Sequence, residues 1–137
     1  MLTVLLSMAC STERQPTNNQ TEQVSLTQSP VTIQQIAKAT IATLFSQPTE
    51  IMSDYTEAGV IYITYVNPED GLIYDYRVQV TRATKSIIWA TKEGRWRTSN
   101  FDEKLSYTVS DENLIITATY HDGSEDNKSY NIADLWL

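Results

Sequence analysis

Three groups of residues have types and spacings that bear on chemistry. The single histidine, His121, stands in His121-Asp122-Gly123, which is a turn sequence. A serine triad needs an imidazole base, and no serine is marked as its partner, so His121 reads as a solvated turn residue. The second group is four adjacent carboxylate pairs: Glu69-Asp70, Asp102-Glu103, Asp111-Glu112 and Glu125-Asp126. Glycoside hydrolysis needs two carboxyls facing each other across a sugar. Side by side, in stretches that read as turns, these read as solvated surface. The acidic Asp122–Asp126 stretch lacks the ligand spacing of a calcium loop. Phosphate-loop and dinucleotide fingerprints are absent from the sequence.

The third group is the most informative. Seven of the ten Lys and Arg residues lie between Arg77 and Lys104, in a chain whose net charge is -7. Between Arg77 and Arg97 the only acid is Glu93, and Trp89 and Trp96 fall inside the band. Arg77, Arg82, Lys85, Trp89, Lys92, Arg95, Trp96 and Arg97 therefore form a candidate binding patch. Tryptophan supplies rigid apolar area, and arginine forks onto carboxylates or phosphates or stacks on rings. The opposing reading makes Arg95 and Arg97, which flank Trp96 in alternation, solvent-facing neighbours of a core Trp96, and they could also pair with Asp102 and Glu103. Both readings stay open on the sequence. The eight tyrosines raise a further question, since Tyr62, Tyr65, Tyr74 and Tyr76 lie on neighbouring predicted strands and could stack on carbohydrate. Tyrosine also favours strands, and the expectation is core and cross-strand packing.

Composition narrows the classes. The overall acidity argues against nonspecific nucleic-acid binding, where Lys and Arg must neutralise phosphates. One cysteine, Cys10, allows no intramolecular disulfide, and one histidine with one cysteine rules out the usual zinc sites. No cofactor and no metal are expected. No apolar run reaches the ~20 residues that span a bilayer as a helix. A length of 137 residues, 41% hydrophobic and 20% charged, suits one ordinary globular domain.

The elements that must position these groups follow from periodicity. Ser29 reads as an N-cap and Pro30 as a first-turn residue. Ile33, Ile36, Ala37, Ile41 and Leu44 recur at helical spacing, which predicts one amphipathic helix of about four turns ending before Pro48. The rest is strand-like. Met52–Tyr55 predicts a short strand, with a turn at Glu57-Ala58-Gly59. Val60–Val66 is apolar on both faces and predicts a central strand. After the turn Asn67–Gly71, Ile73–Val80 alternates, placing Tyr74, Tyr76, Val78 and Val80 on one face. Ser86–Thr91 predicts another strand. Leu105, Tyr107 and Val109 mark the next, and Leu114, Ile116, Ala118 and Tyr120 the one after a turn at Ser110–Asn113. His121 to Asn127 predicts an acidic loop, Lys128–Ile132 a last short strand, and Leu135, Trp136 and Leu137 an apolar tail. Short connections favour an antiparallel meander. The expected fold is therefore α+β, one N-terminal amphipathic helix packed on an antiparallel β-meander of about five to seven strands. A cystatin-like wrap of sheet around helix is one candidate by topology alone.

The N-terminus carries an address. Met1 to Ala9 read MLTVLLSMA, Cys10 and Ser11 follow, and Thr12 through Gln28 are rich in Thr, Gln, Asn and Glu. An apolar run, a small residue, a cysteine and then a polar stretch resembles the signal of small bacterial lipoproteins. The resemblance implies a truncated signal peptide at 1–9 and acylation of Cys10. It further implies a polar flexible tether at 10–28 and a single α+β domain at 29–137. It also implies membrane attachment in a bacterial envelope, with the outer membrane or periplasmic face favoured by Ser11. Several acyl chains, at ~0.8 kcal/mol per buried CH₂, make such an anchor stable. An anionic partner would then be a lipid head group, lipopolysaccharide, an acidic glycan or an acidic protein face. The leading expectation is a non-catalytic, lipid-anchored envelope protein with a binding or structural role. Two other classes stay open: a soluble inhibitor or immunity-type protein, and a hydrolase with an unmarked site. If the N-terminus is no signal, the alternative compartment is the cytoplasm.

Overall fold

The computed structural model describes residues 31–135. The segments 1–9 and 10–28, the acylation expected at Cys10, the Ser29-Pro30 helix start and the tail residues Trp136 and Leu137 lie outside the described residues. Within them, helix α1 (Ile33–Phe45) is followed by seven strands: β1 (Ser53–Glu57), β2 (Val60–Val66), β3 (Ile73–Thr81), β4 (Ser86–Thr91), β5 (Lys104–Ser110), β6 (Asn113–Thr119) and β7 (Glu125–Asn131). The strands form one sheet in sequence order, and every neighbouring pair is antiparallel. This is an α+β arrangement of one helix and a seven-stranded antiparallel sheet.

Thr32 caps the helix. Its Oγ1 accepts from the Gln35 N–H at 3.1 Å, and Gln35 Oε1 accepts from the Thr32 N–H at 2.8 Å. This reciprocal capping box satisfies two donors that would otherwise lack partners. Ser46 ends the helix in the left-handed region (φ 54), with its N–H bonded to the Ala42 carbonyl, and Pro48 follows. The buried run Gln35–Ala42 exceeds two turns, so burial extends beyond the stripe that the apolar spacing predicts. Thr40, fully buried, satisfies its hydroxyl on the Ile36 carbonyl at 2.8 Å.

Alternation divides the sheet into two faces. The helix-side face carries Ile61, Ile63 and Tyr65, then Tyr76 and Val78, Ile87 and Trp89, Leu105 and Tyr107, and Leu114, Ile116 and Ala118, all buried. The helix reaches both edges of the sheet on this side. Gln34 donates to Thr56 on β1 at 3.0 Å, Lys38 pairs with Asp54 on β1 at 3.2 Å, and Thr43 meets the Tyr130 hydroxyl on β7 at 3.0 Å. Nine helical residues advance only about 14 Å, whereas six inter-strand spacings cover about 29 Å. The long side chains of Gln34 and Tyr130 bridge much of that difference, so the short helix is tied to both edges of the wider sheet.

Two strand boundaries differ from the pattern-based expectation. β1 runs to Glu57 because Ala58 and Gly59 (φ 54 and 80) form a two-residue hairpin turn. β7 starts at Glu125, within the stretch expected to be an acidic loop, because the 121–124 turn closes early. There Tyr120 N–H bonds Ser124 O at 2.8 Å, and Asp122 accepts from the Ser124 N–H and hydroxyl. Glu125 and Asp126 consequently sit in a strand and point to opposite faces, rather than sharing a turn.

Candidate functional site

β4 and β5 share only two register pairs, Ser86↔Ser106 and Ile87↔Leu105. Beyond them the strands part, and the 92–103 loop folds back along the free side of β4. The Arg97 N–H donates to the Trp89 carbonyl at 3.0 Å, taking the place a β5 residue would fill. This loop holds the centre of the basic, tryptophan-bearing band.

Trp89 points to the helix side and is 8% exposed, with Phe45 and Tyr76 edge-on to its ring. Its indole N–H donates to Glu103 Oε2 at 2.6 Å. Arg97 lies over the same ring, 5.1 Å from its centroid, and pairs with Glu103 at 3.4 Å and with Asp102 at 3.1 Å. Asp102 is buried, with its side chain 4% exposed. It takes a two-pronged bond from Arg95 (2.8 and 3.1 Å) and accepts the Ser99 N–H at 2.9 Å. The Arg95 hydrogen bonds, the Ser99 amide and the Arg97 charge hold its carboxyl well below the ordinary carboxylate range. Asp102 and Glu103 thus work as separate anchors of one clamp, each matched to an arginine.

The other members of the band lie elsewhere. Arg77 is on the opposite, outer face of β3. Its guanidinium bonds the carbonyls of Thr91 and Gly94 and stacks on Trp96, 4.5 Å from the ring centroid. Arg82 donates to the Val31 carbonyl at 3.1 Å. Lys104, just past the patch, donates to the Ser99 carbonyl at 3.1 Å. Lys85 occupies the β3–β4 turn at φ 55, with an exposed side chain. Lys92 is also exposed, and its N–H bonds the Asp75 carbonyl at 3.1 Å. Among the described residues, Lys85 and Lys92 are the two cations of the band whose side chains have no ion pair or hydrogen bond. The structure brings Arg95, Arg97 and Trp89 together around Asp102 and Glu103. It places Arg77, Lys92 and Trp96 on the outer face and leaves Arg82 and Lys85 apart from both.

The outer face brings Tyr62, Arg77 and Trp96 into line with Tyr55, which the sequence pattern did not single out. The Ala58-Gly59 turn sets the register Tyr55↔Tyr62, and the next pair is Tyr62↔Arg77. The Tyr55 and Tyr62 rings stack with centroids 4.8 Å apart and planes 8° from parallel. One row of side chains therefore runs Tyr55, Tyr62, Arg77, Trp96 across the first strands. The adjacent row is polar: Ser53↔Thr64, Thr64↔Asp75, then Lys92 beside Asp75. A small cleft of about 50 Å³ opens between the rows, with Tyr55, Tyr62, Thr64, Asp75 and Lys92 among its lining. The signal in the sequence was alternation itself: Tyr55, Tyr62 and Arg77 share a face once the two-residue turn fixes the register. Tyr65 and Tyr76, by contrast, are buried core residues, and Tyr74 bonds Asp70 at 2.7 Å. A larger cavity, about 470 Å³, lies between residues 46–50 and the outer edge of β7, with a mostly polar lining.

His121 is exposed, with the Phe101 ring edge-on to it at 5.6 Å. Among the described residues, no three His, Cys, Asp or Glu side chains gather closely enough to hold a metal ion. No helix among them is long and apolar enough to cross a membrane.

Together the fold and site define an α+β domain with a clamp-braced loop and an open aromatic row on the face opposite its helix. Compared with family models, curated proteins and solved structures, the chain matches none.

Proposed function

We propose that this chain is a non-catalytic binding protein of a bacterial envelope. It is held at a membrane by acylated Cys10 and makes its contacts with the outer face of its sheet. The observation that carries the binding role is the row Tyr55, Tyr62, Arg77 and Trp96. These are residue types that dominate binding energy at interfaces, set in register on the face away from the helix, with Tyr55 51% exposed. Arg77, Lys92 and Trp96 are the part of the basic band that belongs to this surface. The anchor rests on the order of residues around Cys10, the one cysteine of the chain. A polar stretch of that length, acting as a flexible coil at about 5–6 Å × √n, would give the domain a reach of some tens of Å from the lipid surface.

The test is fractionation of a bacterium expressing the protein from its native upstream sequence, followed by intact mass. Cleavage before Cys10 with added acyl mass, lost in Cys10→Ser, is the expected result. An unmodified chain starting at Met1 in the soluble fraction would sink the anchored reading.

A further inference from the structure

We propose that the outer-face cleft between Tyr55–Tyr62 and Thr64–Asp75–Lys92 binds a neutral pyranose sugar. The inference rests on the reading of the outer face as a contact surface and names its ligand class.

A pyranose ring has an apolar face of C–H groups and a rim of hydroxyls that both donate and accept. Its recognition therefore needs an aromatic surface beside short polar groups of both kinds. The cleft supplies these in two adjacent rows. Tyr62 is stacked on Tyr55, so its ring is held in place before any ligand arrives. Tyr55 stands on the terminal strand and is 51% exposed, so among the described residues no further strand covers the side of its ring away from Tyr62. The polar row offers a hydroxyl, a carboxylate and an ammonium. Thr64, Asp75 and Lys92 make no side-chain hydrogen bond or ion pair among the described residues. That sets them apart from the clamp around Asp102, whose charges are already matched.

Charge selects between ligand classes. One carboxylate beside one ammonium gives the cleft no net charge, and Asp75 would repel a phosphate or sulfate drawn to Lys92. A neutral, hydroxyl-rich molecule meets no such repulsion and can use both groups. Size points the same way. A cleft of about 50 Å³ admits one projecting substituent, such as a hydroxymethyl or an acetamido group, while the ring lies against the tyrosines. Among the described residues Asp75 is the only carboxylate lining the cleft, and hydrolysis needs two, so this lining suits holding a sugar rather than cleaving it.

The experiment is calorimetric and NMR titration of the full chain carrying Cys10→Ser, which separates it from the question of anchoring. The probes are N-acetylglucosamine trimer, maltotriose and inorganic phosphate. Saturable millimolar binding of a trisaccharide, with amide shifts at Tyr62, Thr64 and Asp75 and none with phosphate, is the expected result. Tyr55→Ala, at the exposed edge, should weaken it about tenfold with the melting temperature retained, and Asp75→Asn severalfold. Three outcomes overturn the proposal: no saturation by either trisaccharide, binding indifferent to both substitutions, or phosphate binding in place of sugar. Should Tyr55→Ala abolish retention on envelope membranes while neither sugar binds, the outer face remains a contact surface and the sugar assignment falls.

Discussion

Replacing Trp89 with phenylalanine tests the clamp that ties the 92–103 loop to the core. The substitution keeps an aromatic ring against Phe45 and Tyr76 and removes the indole N–H that Glu103 accepts at 2.6 Å. A hydrogen bond to a charged group contributes about 1.5–3 kcal/mol. The lost five-membered ring gives up about 40 Å² of buried apolar area, worth about 1 kcal/mol at ~25 cal/mol per Å². Together the loss is about 2.5–4 kcal/mol, out of the 5–15 kcal/mol typical of a domain, so the variant should still fold. For a unit of this size, about 4–8 °C per kcal/mol predicts a melting point lower by about 10–30 °C. Glu103→Gln is the control. Its amide oxygen can still accept the indole N–H as a neutral bond, so about 1 kcal/mol of charge assistance goes together with the Arg97 pair at 3.4 Å, a smaller loss than in Trp89→Phe. Urea unfolding followed by far-ultraviolet circular dichroism measures both. A loss below about 1 kcal/mol in Trp89→Phe, or an equal loss in both variants, would refute the idea that the indole–carboxylate bond braces the loop.

Two further outcomes follow from the clamp and the turns. The depressed carboxyl of Asp102 stabilises the fold above the ordinary carboxylate value of 3.8. Below that value the unfolded chain binds its proton first, and the contribution is lost progressively as pH falls toward the folded value. Urea midpoints should therefore fall between pH 5 and pH 3 in the native chain, and Asp102→Asn should show a shallower fall with a lower midpoint at pH 7. Ala58 holds φ 54 at the first position of a two-residue hairpin turn followed by Gly59, a place that suits asparagine. Ala58→Asn should stabilise by about 0.5–1 kcal/mol, read as a higher urea midpoint at unchanged slope.

Much of the sheet was legible because its residues obey one rule at a time. Val78 and Val80 alternate with Arg77 and Gln79, and the two-state period survives into the fold. The helix was legible for the same reason, but its start was not. The apolar spacing does not show where the helix is capped; the reciprocal bond between Thr32 and Gln35 does. β7 was hidden because Glu125, Asp126 and Asn127 have little strand propensity. They pair along β6, where Thr117 and Thr119 meet Asn127 and Glu125 through their side chains. The clamp was half visible, as arginines flanking a tryptophan with two acids a few residues on. The aromatic row was not visible, because it needs three strands in register, and register depends on turn lengths rather than on any one strand.

The short meeting of β4 and β5 also shapes how the molecule opens. Two register pairs, Ser86↔Ser106 and Ile87↔Leu105, join a four-stranded half to a three-stranded half, while within each half the ladders run five to seven pairs long. Free energies of local opening follow such differences. The sheet thus carries a score line, and the ion-paired loop works as a strap across it. Opening at Ser86 and Ile87 breaks two register pairs, fewer than separating any other neighbouring strands, and leaves every hairpin intact. The helix, bonded to β1 at one end and β7 at the other, is the pin that limits that opening.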